Sequence, residues 1–394
     1  MPNIAPRVQT KAGKGAFDIW EKALALEATG VDIIHFEIGE PDFETPAHIV
    51  AAANQALADG YTKYDLPNGL PRLRGAMADY IQRTRNLPVG ADRVIVTPGV
   101  KGTLFTTIMA IIGDGDEILV PDPGYPMYSS TLNYANGRAV PYPLRPENQF
   151  QPDPDDIKAA INANTKAILL NSPGNPTGTI HSRESLEQFA NIALEHDLWI
   201  VSDEVYAQLY FTDDFPLSIA ALPDMAERTI IMDGCSKAYA MTGWRVGFGI
   251  FPETLVQAVD TLASHTHSCL PPFIQIAAEA AFRGPQDCVE MMRQTYQARR
   301  DFVLTFLADY PEIKTLRPDG AFYIMLDLSA ITGPDVNPFA YKLLSNGVSV
   351  LPGDVMGDMT KGFVRLALNH PQDVLAEGLQ RLVHTLYSPL NLKN

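Results

Sequence analysis

The sequence predicts an α/β fold: a large domain with a mostly parallel central sheet flanked by helices, plus a smaller α+β domain built from the N-terminal segment and the C-terminal region. Three observations point there. Short apolar runs of strand length recur between residues 93 and 250, each ended by a Gly-, Pro- or Asp-bearing break, and several are followed by apolar residues at helical spacing. At 394 residues and 46% hydrophobic composition the chain can bury a large core and is long enough for two domains. Beyond residue 311 the pattern changes to shorter strands and turns, which suits a second, smaller unit. The expected boundaries are 1–45 for an N-terminal arm and part of the small domain, 46–289 for the large domain and 290–394 for the small C-terminal domain.

Residues 1–14 carry Pro2, Pro6, Gly13 and several basic side chains, as an arm wrapping over a neighbour would. A helix is expected over 16–28, from Phe17, Trp20, Ala23 and Leu24, and a short strand over 31–38 that ends at Gly39-Glu40-Pro41-Asp42. A polar, turn-rich stretch over 61–74 precedes a helix over 71–82. Residues 93–97 form a strand, Pro98-Gly99 a break and 100–112 a helix, so Gly99, Val100 and Lys101 lie at a helix N-terminus. Unpaired N–H groups and the helix dipole suit a phosphate there. After the strand at 117–120 comes Tyr125, an aromatic ring positioned to stack on a planar ligand. The strand at 166–170 runs into the Pro/Gly-dense loop that holds Asn175, and an amphipathic helix follows over 182–196.

The strand at 198–202 leads into Asp203-Glu204-Val205-Tyr206. Carboxylates capping a buried strand are costly unless they meet a partner, and a protonated ring nitrogen is one such partner. The apolar run 229–232 ends in Asp233-Gly234 and presents Lys237 at a strand's carboxyl end, among apolar and small residues that favour its neutral amine. Ser236 supplies a hydroxyl and Arg245 a forked cation, so the group suits a ligand with an aldehyde at one end and a phosphate at another, as in pyridoxal 5'-phosphate. A strand is expected over 245–250 and helices over 272–282 and 288–307. Arg365, amid the apolar run 363–368, must either pair with an acid or await a carboxylate, which its planar fork matches in two hydrogen bonds. Gly99, Tyr125, Asn175, Asp203 and Lys237 each follow a predicted strand, and strand ends of one polarity share an edge.

The run Ser236-Lys237-x-x-x-Met241-Thr242-Gly243-Trp244-Arg245-x-Gly247 resembles the cofactor-lysine signature of the class I/II aminotransferases, the fold-type-I pyridoxal-phosphate enzymes. The likeness extends from about Gly39 to Arg365, through Tyr64-x-x-x-x-Gly69-x-x-x-Leu73-Arg74 and Asn175-Pro176-Thr177-Gly178, in the family's order. It implies a homodimeric enzyme that moves an amino group from an L-amino acid to a 2-oxo acid through a Lys237 Schiff base. It implies further that Asn175 and Tyr206 hydrogen-bond the cofactor's phenolic oxygen, that Asp203 holds its ring nitrogen and that Tyr125 stacks on the ring. The resemblance also implies that Tyr64 reaches the partner's cofactor phosphate and that Gly39 and Arg365, with Asn175, take the substrate. Other pyridoxal-phosphate chemistry, by a lyase, decarboxylase or oxidase, remains the alternative on the same motifs.

The net charge of −16 and pI near 4.9 oppose nucleic acid and anionic membrane surfaces as partners. They also oppose a DNA-binding regulator with an aminotransferase-like domain. Three cysteines without paired metal spacing suit a reducing compartment, and no apolar leader or twenty-residue apolar run is present, so a cytoplasmic protein is expected. His265-x-His267-x-Cys269 reads as polar lining or interface rather than metal ligands. An ungapped match sets Met109 where relatives acting on acidic donors carry a lysine. A neutral, aromatic or otherwise non-acidic donor is therefore expected, with Phe17, Ile38 and Tyr64 near its side chain.

Overall fold

The computed structural model describes residues 3–8 and 15–388. Its strands are β1 (Ile34–His35), β2 (Val94–Pro98), β3 (Glu117–Asp122), β4 (Arg138–Pro143), β5 (Thr165–Asn171), β6 (Trp199–Asp203), β7 (Thr229–Gly234), β8 (Val246–Ile250), β9 (Lys314–Thr315), β10 (Tyr323–Asp327), β11 (Val348–Ser349), β12 (Leu351–Pro352) and β13 (Phe363–Ala367). Among the described residues the largest sheet runs β2-β8-β7-β6-β5-β3-β4. Its neighbours pair in parallel except β8, which is antiparallel to both β7 and β2. Two reversals through β8 restore β2 to the common direction. The carboxyl ends of β2, β3, β5, β6 and β7 therefore share one edge.

The continuous apolar runs follow from burial on both faces, since alternate residues of a strand point to opposite sides. Ile95, Leu169, Val201, Ile230 and Met232 face one layer, where they pack with Leu104 and Ile108 and with Val259 and Ala263 of the helix Glu253–His267. Val94, Val96 and Ile231 face the other, against Leu73, Met77, Ala277 and Ala281. Ile168, Leu170 and Ile200 continue that second face against Leu186 and Phe189. A separate antiparallel sheet runs β12-β13-β10-β9, and β1 pairs in parallel with β11. The helices Asp287–Leu307 and Gln372–Tyr387 supply Met292, Val303, Leu375 and Leu379 to the core behind it.

Several expectations are revised. The strand expected over 31–38 is reduced to Ile34–His35, because the chain beyond it turns to other partners: Phe36 accepts from the Ala367 N–H, and the Glu37 and Ile38 carbonyls accept from the Arg365 and Asn369 side chains. A three-residue helical turn occupies Pro6–Val8, and residues 1–2 and 9–14 of the expected arm lie outside the described residues. The strand β4 and the helices α1 (Ala16–Glu27), α2 (Ala47–Ala58), α3 (Pro71–Arg85), α4 (Val100–Ile111) and α5 (Met127–Tyr134) complete the N-terminal half. Of these, β4, α2 and α5 have no counterpart in the sequence reading. No described helix is long and apolar enough to cross a membrane.

One buried ionic cluster ties α3 beneath the strand ends. Arg85 is buried, with Nε 3.1 Å from Glu204 and an η nitrogen 2.5 Å from Asp233. The Tyr80 hydroxyl meets Asp233 at 3.2 Å, while the Ser202 and Ser218 hydroxyls donate to Glu204 at 2.9 and 2.6 Å. Removing the one cation leaves two buried carboxylates without a counter-charge. Arg85→Met is expected to cost about 3–5 kcal/mol of unfolding free energy, read as a drop in the denaturation midpoint.

Candidate active site

Lys237 sits in the single helical turn Cys235–Ala238 that follows β7. Its Nζ donates to the Gly39 carbonyl at 2.5 Å and lies 5.6 Å from the Phe322 ring centroid and 5.9 Å from that of Tyr206. Burial pulls its pKa down to about 8; Glu40 opposes the shift, and Arg365, Arg245 and Lys101 reinforce it. The environment thus favours a neutral, nucleophilic amine far more than water would. Ser236, beside it, is buried.

Gly99 caps α4 with φ +75°, so the first N–H groups of the helix, including those of Val100 and Lys101, have no partner within it. Arg245 stands against this end: a Cβ added at Gly99 would meet its guanidinium. The Arg245 backbone itself is left-handed, at φ +57°, and its guanidinium donates to the Thr242 carbonyl at 2.9 Å. Holding a non-glycine residue there costs about 1–2 kcal/mol, a strain typical of functional turns. Gly247 completes the cradle. A Cβ on it would run into the Gly99 and Val100 backbone, so only glycine lets β8 pass beneath the helix end.

Asp203 closes β6 and is buried. The Tyr128 hydroxyl donates to one of its oxygens at 2.8 Å and the Val205 N–H reaches the other at 3.3 Å. Among the described residues no cation pairs with it. Burial therefore pushes the carboxyl up to about 6, against the Tyr128 hydrogen bond. Tyr125 packs edge-on to Tyr128 at 5.7 Å, and the Lys101 ammonium lies 5.7 Å from the Tyr125 ring. Burial and then the Asp203 charge push the Tyr125 phenol up to about 12.

Arg365, 3% exposed in β13, donates to Asn175 Oδ1 at 2.9 Å and to the Glu37 carbonyl at 2.5 Å. Its guanidinium lies over the Tyr323 ring at 4.4 Å, and its Nε has no partner. No described carboxylate pairs with it, so of the two alternatives open for this residue the ion pair is absent. Tyr206 and Tyr323 share a hydrogen bond of 2.9 Å between their hydroxyls. A Cβ on Gly39 would overlap the Tyr323 hydroxyl, so that loop also packs onto the site.

The structure thus gathers Gly39, Gly99, Val100, Lys101, Tyr125, Asn175, Asp203, Tyr206, Ser236, Lys237, Arg245 and Arg365 about one sheet edge. Tyr64 stands apart, 88% exposed on a surface loop. Met109 lies nine residues beyond Val100 on α4, about 13 Å along the axis from the end at Gly99. Of the three aromatic or apolar residues expected beside the donor, Phe17 lies 5.7 Å from Lys101 Nζ. His265 and His267 end the helix Glu253–His267, and Cys269 accepts from the Asp65 N–H at 3.5 Å. No described group of three or more His, Cys, Asp or Glu residues could hold a metal. Sequence reasoning missed Tyr128, Tyr323 and Gly247; Tyr128 and Gly247 were within reach as, respectively, a second tyrosine one helical turn past Tyr125 and a member of the lysine motif.

These residues would fit pyridoxal phosphate chemically. A buried carboxylate without a cation faces the same region as a buried guanidinium without an anion, a depressed lysine and an anion-binding helix end. Comparison with known proteins agrees. Residues 31–382 match the sequence model for aminotransferase class I and II. An arginine–pyruvate transaminase of Pseudomonas aeruginosa is 39% identical over 94% of this chain and 94% of its own, and an aspartate/prephenate aminotransferase of Thermus thermophilus is 37% identical over 98% and 99%. Among solved structures, an aspartate aminotransferase from Thermus thermophilus with maleate superposes with a TM-score of 0.93 at 37% identity, covering 98% of this chain and 100% of the other. An alanine aminotransferase from Pyrococcus furiosus gives 0.92 at 32% identity, covering 98% and 99%.

The depressed lysine makes the site's reactivity pH-dependent. Attack by Lys237 on an added aldehyde in the cofactor-free protein requires the neutral amine. Its rate, followed by absorbance, is expected to rise with pH to a midpoint near 8 rather than near the ordinary 10.5.

Proposed function

The chain belongs to the aminotransferase class I and II family, enzymes of amino-group transfer of the kind that uses pyridoxal phosphate, and from that premise we propose that it passes the amino group of an L-amino acid to a 2-oxo acid at Lys237. The observation that carries this reading is a set of buried charges left unmatched around one amine: Asp203 without a cation and Arg365 without an anion. Pyridoxal 5'-phosphate, when bound, supplies an aldehyde that takes amines and a ring that accepts the electron pair released at the substrate Cα.

Lys237 would hold the cofactor through Nζ, and Asp203 would keep its ring nitrogen protonated. The N–H groups of Gly99, Val100 and Lys101, with Ser236 and Arg245, would hold its phosphate. Asn175 and Tyr206 would reach its phenolic oxygen, and Tyr125 would cover a ring face. Arg365 would receive the substrate α-carboxylate, with Gly39 beside it. Lys237, once freed, would take the Cα proton as general base and deliver it as general acid to the cofactor's aldehyde carbon rather than back to Cα. Tyr64, exposed in one chain, would act on the partner's phosphate group in a homodimer. The free cysteines Cys235, Cys269 and Cys288 support a reducing, cytoplasmic setting. Our division of the chain into a large domain (46–289) and a small one (1–45 with 290–394) is supported by the two sheets, whose strands come from 94–250 and 314–367, and by the β1–β11 pairing.

The donor's side chain would meet Lys101, whose Nζ lies 5.7 Å from both the Phe17 and Tyr125 rings and has no described carboxylate partner. With Met109 out of reach, we read this end as admitting a distal carboxylate beside aromatic surface, in place of a non-acidic preference. Lys101→Met should then lower kcat/KM for aspartate by about tenfold to a hundredfold, the worth of one charge-assisted hydrogen bond, and change that for alanine little.

The central test is borohydride reduction of the purified protein followed by peptide mapping. The label should fall on Lys237 and vanish in Lys237→Ala, while the unreduced enzyme should yield oxo-acid product beyond one equivalent per site only when a second 2-oxo acid is supplied. Product formed beyond one equivalent per site without that acceptor would instead indicate a lyase, decarboxylase or oxidase.

A further inference from the structure

Tyr323 opens β10, and the antiparallel register sets it opposite Ala367 while Met325 faces Arg365. Alternate residues share a face, so the Tyr323 ring lies diagonally beside the Arg365 side chain. Three site elements converge on this one side chain, which is 1% exposed. Its ring carries the Arg365 guanidinium at 4.4 Å, its hydroxyl meets that of Tyr206 at 2.9 Å, and the same hydroxyl lies where a Cβ on Gly39 would be.

The pair of hydroxyls has a proton to spare. Each oxygen carries one hydrogen, and burial keeps both phenols protonated at neutral pH. One hydrogen is spent in the Tyr206–Tyr323 bond. The hydroxyl that accepts this bond keeps its own hydrogen for a third atom. If Tyr323 donates, the Tyr206 hydrogen is directed away from Tyr323 and is free for a third atom.

We infer that Tyr323 is a positioning residue that acts in two directions: its hydroxyl donates to Tyr206, freeing the Tyr206 proton for the phenolic oxygen of a pyridoxal cofactor, and its ring is the platform that presents Arg365 to the substrate α-carboxylate. The inference rests on the function proposed above. Tyr323 does not itself touch the reacting atoms in this scheme. It sets a donor on one side and a carboxylate receptor on the other, so the two halves of the site share a single support.

Two variants separate these roles in the enzyme loaded with pyridoxal phosphate. Tyr323→Phe keeps the ring and removes the hydroxyl. The pH midpoint of the bound cofactor's absorbance change should rise by about one unit, toward that of Tyr206→Phe, because the phenolic oxygen loses a well-directed donor. Its kcat should fall about tenfold, the loss of roughly one hydrogen bond's stabilisation, with donor KM held within about twofold. Tyr323→Leu removes the platform as well, and should raise KM for both the amino donor and the oxo-acid acceptor about tenfold. A midpoint unchanged in Tyr323→Phe, or KM values unchanged in Tyr323→Leu, overturns the corresponding half of the inference, and a change confined to thermal unfolding overturns both. Wild-type protein that shows no cofactor absorbance would overturn the underlying reading first, and that outcome is visible before either variant is made.

Discussion

A guanidinium buried among neutral groups is the constraint around which this molecule is arranged. Taking Arg365 out of water carries a penalty of several kcal/mol. An internal carboxylate would offset most of it, but such a partner would also compete with any incoming carboxylate. The chain instead satisfies Arg365 with the Glu37 carbonyl, the Asn175 amide oxygen and the Tyr323 ring, and leaves Nε unpaired. Those three supports come from the segment after β1, the loop after β5 and the start of β10. The need to solvate one cation without an anion thus joins the antiparallel sheet to the edge of the parallel one.

Asp203 is the mirror case on the parallel sheet. Its neighbours Glu204 and Asp233 share the Arg85 cation one layer away, whereas Asp203 has a hydroxyl and a backbone N–H. Its pKa is raised in the folded chain, so the folded state binds more protons than the unfolded one as pH climbs from about 4 to 6. Stability contributed by this group is therefore present at low pH and lost as pH rises through 6. A cation held against Asp203 reverses that trend by favouring the charged form. Lys237, depressed to about 8, bears the complementary cost. The free protein thus carries unfavourable charge burial that a ligand with a ring nitrogen, an anionic phosphate and an aldehyde is suited to relieve.

Much of this was legible in one sequence because the large sheet is buried on both faces. Double burial writes Val94-Ile95-Val96 or Ile230-Ile231-Met232 as unbroken apolar runs, and the breaks after them mark the edge where function gathers. The edge strand β4 escaped notice because it is half exposed and contains Pro141 and Pro143. The direction of β8 was equally hidden, since an alternating apolar strand looks the same in either sense and only its pairing with β2 and β7 fixes it. The helix Glu253–His267 did carry helical spacing in Leu255, Val259 and Ala263, but its histidine-bearing end drew the chemistry instead. Tyr323 left no local sign at all: an aromatic at a strand start reads as core, and its meaning comes from a diagonal neighbour 42 residues away on β13.

The same logic explains why the donor's identity is harder to read than the reaction. Motif residues meet the atoms that every amino acid shares, the α-carboxylate, the amine and Cα, so their spacing repeats whatever the side chain. The donor end that we propose draws on other places: Phe17 on α1, the Lys101 side chain at the start of α4 and Tyr125 beyond β3. Lys101 is the instructive residue, because its backbone belongs to the helix end while its side chain turns toward two rings. A selectivity built from such contacts is a difference of a few kcal/mol between competing side chains, set by the packing of a cation against aromatic surface. Periodicity and motif spacing carry no record of that packing, so the side chains at this end, rather than the shared cradle, must decide which substrate the enzyme prefers.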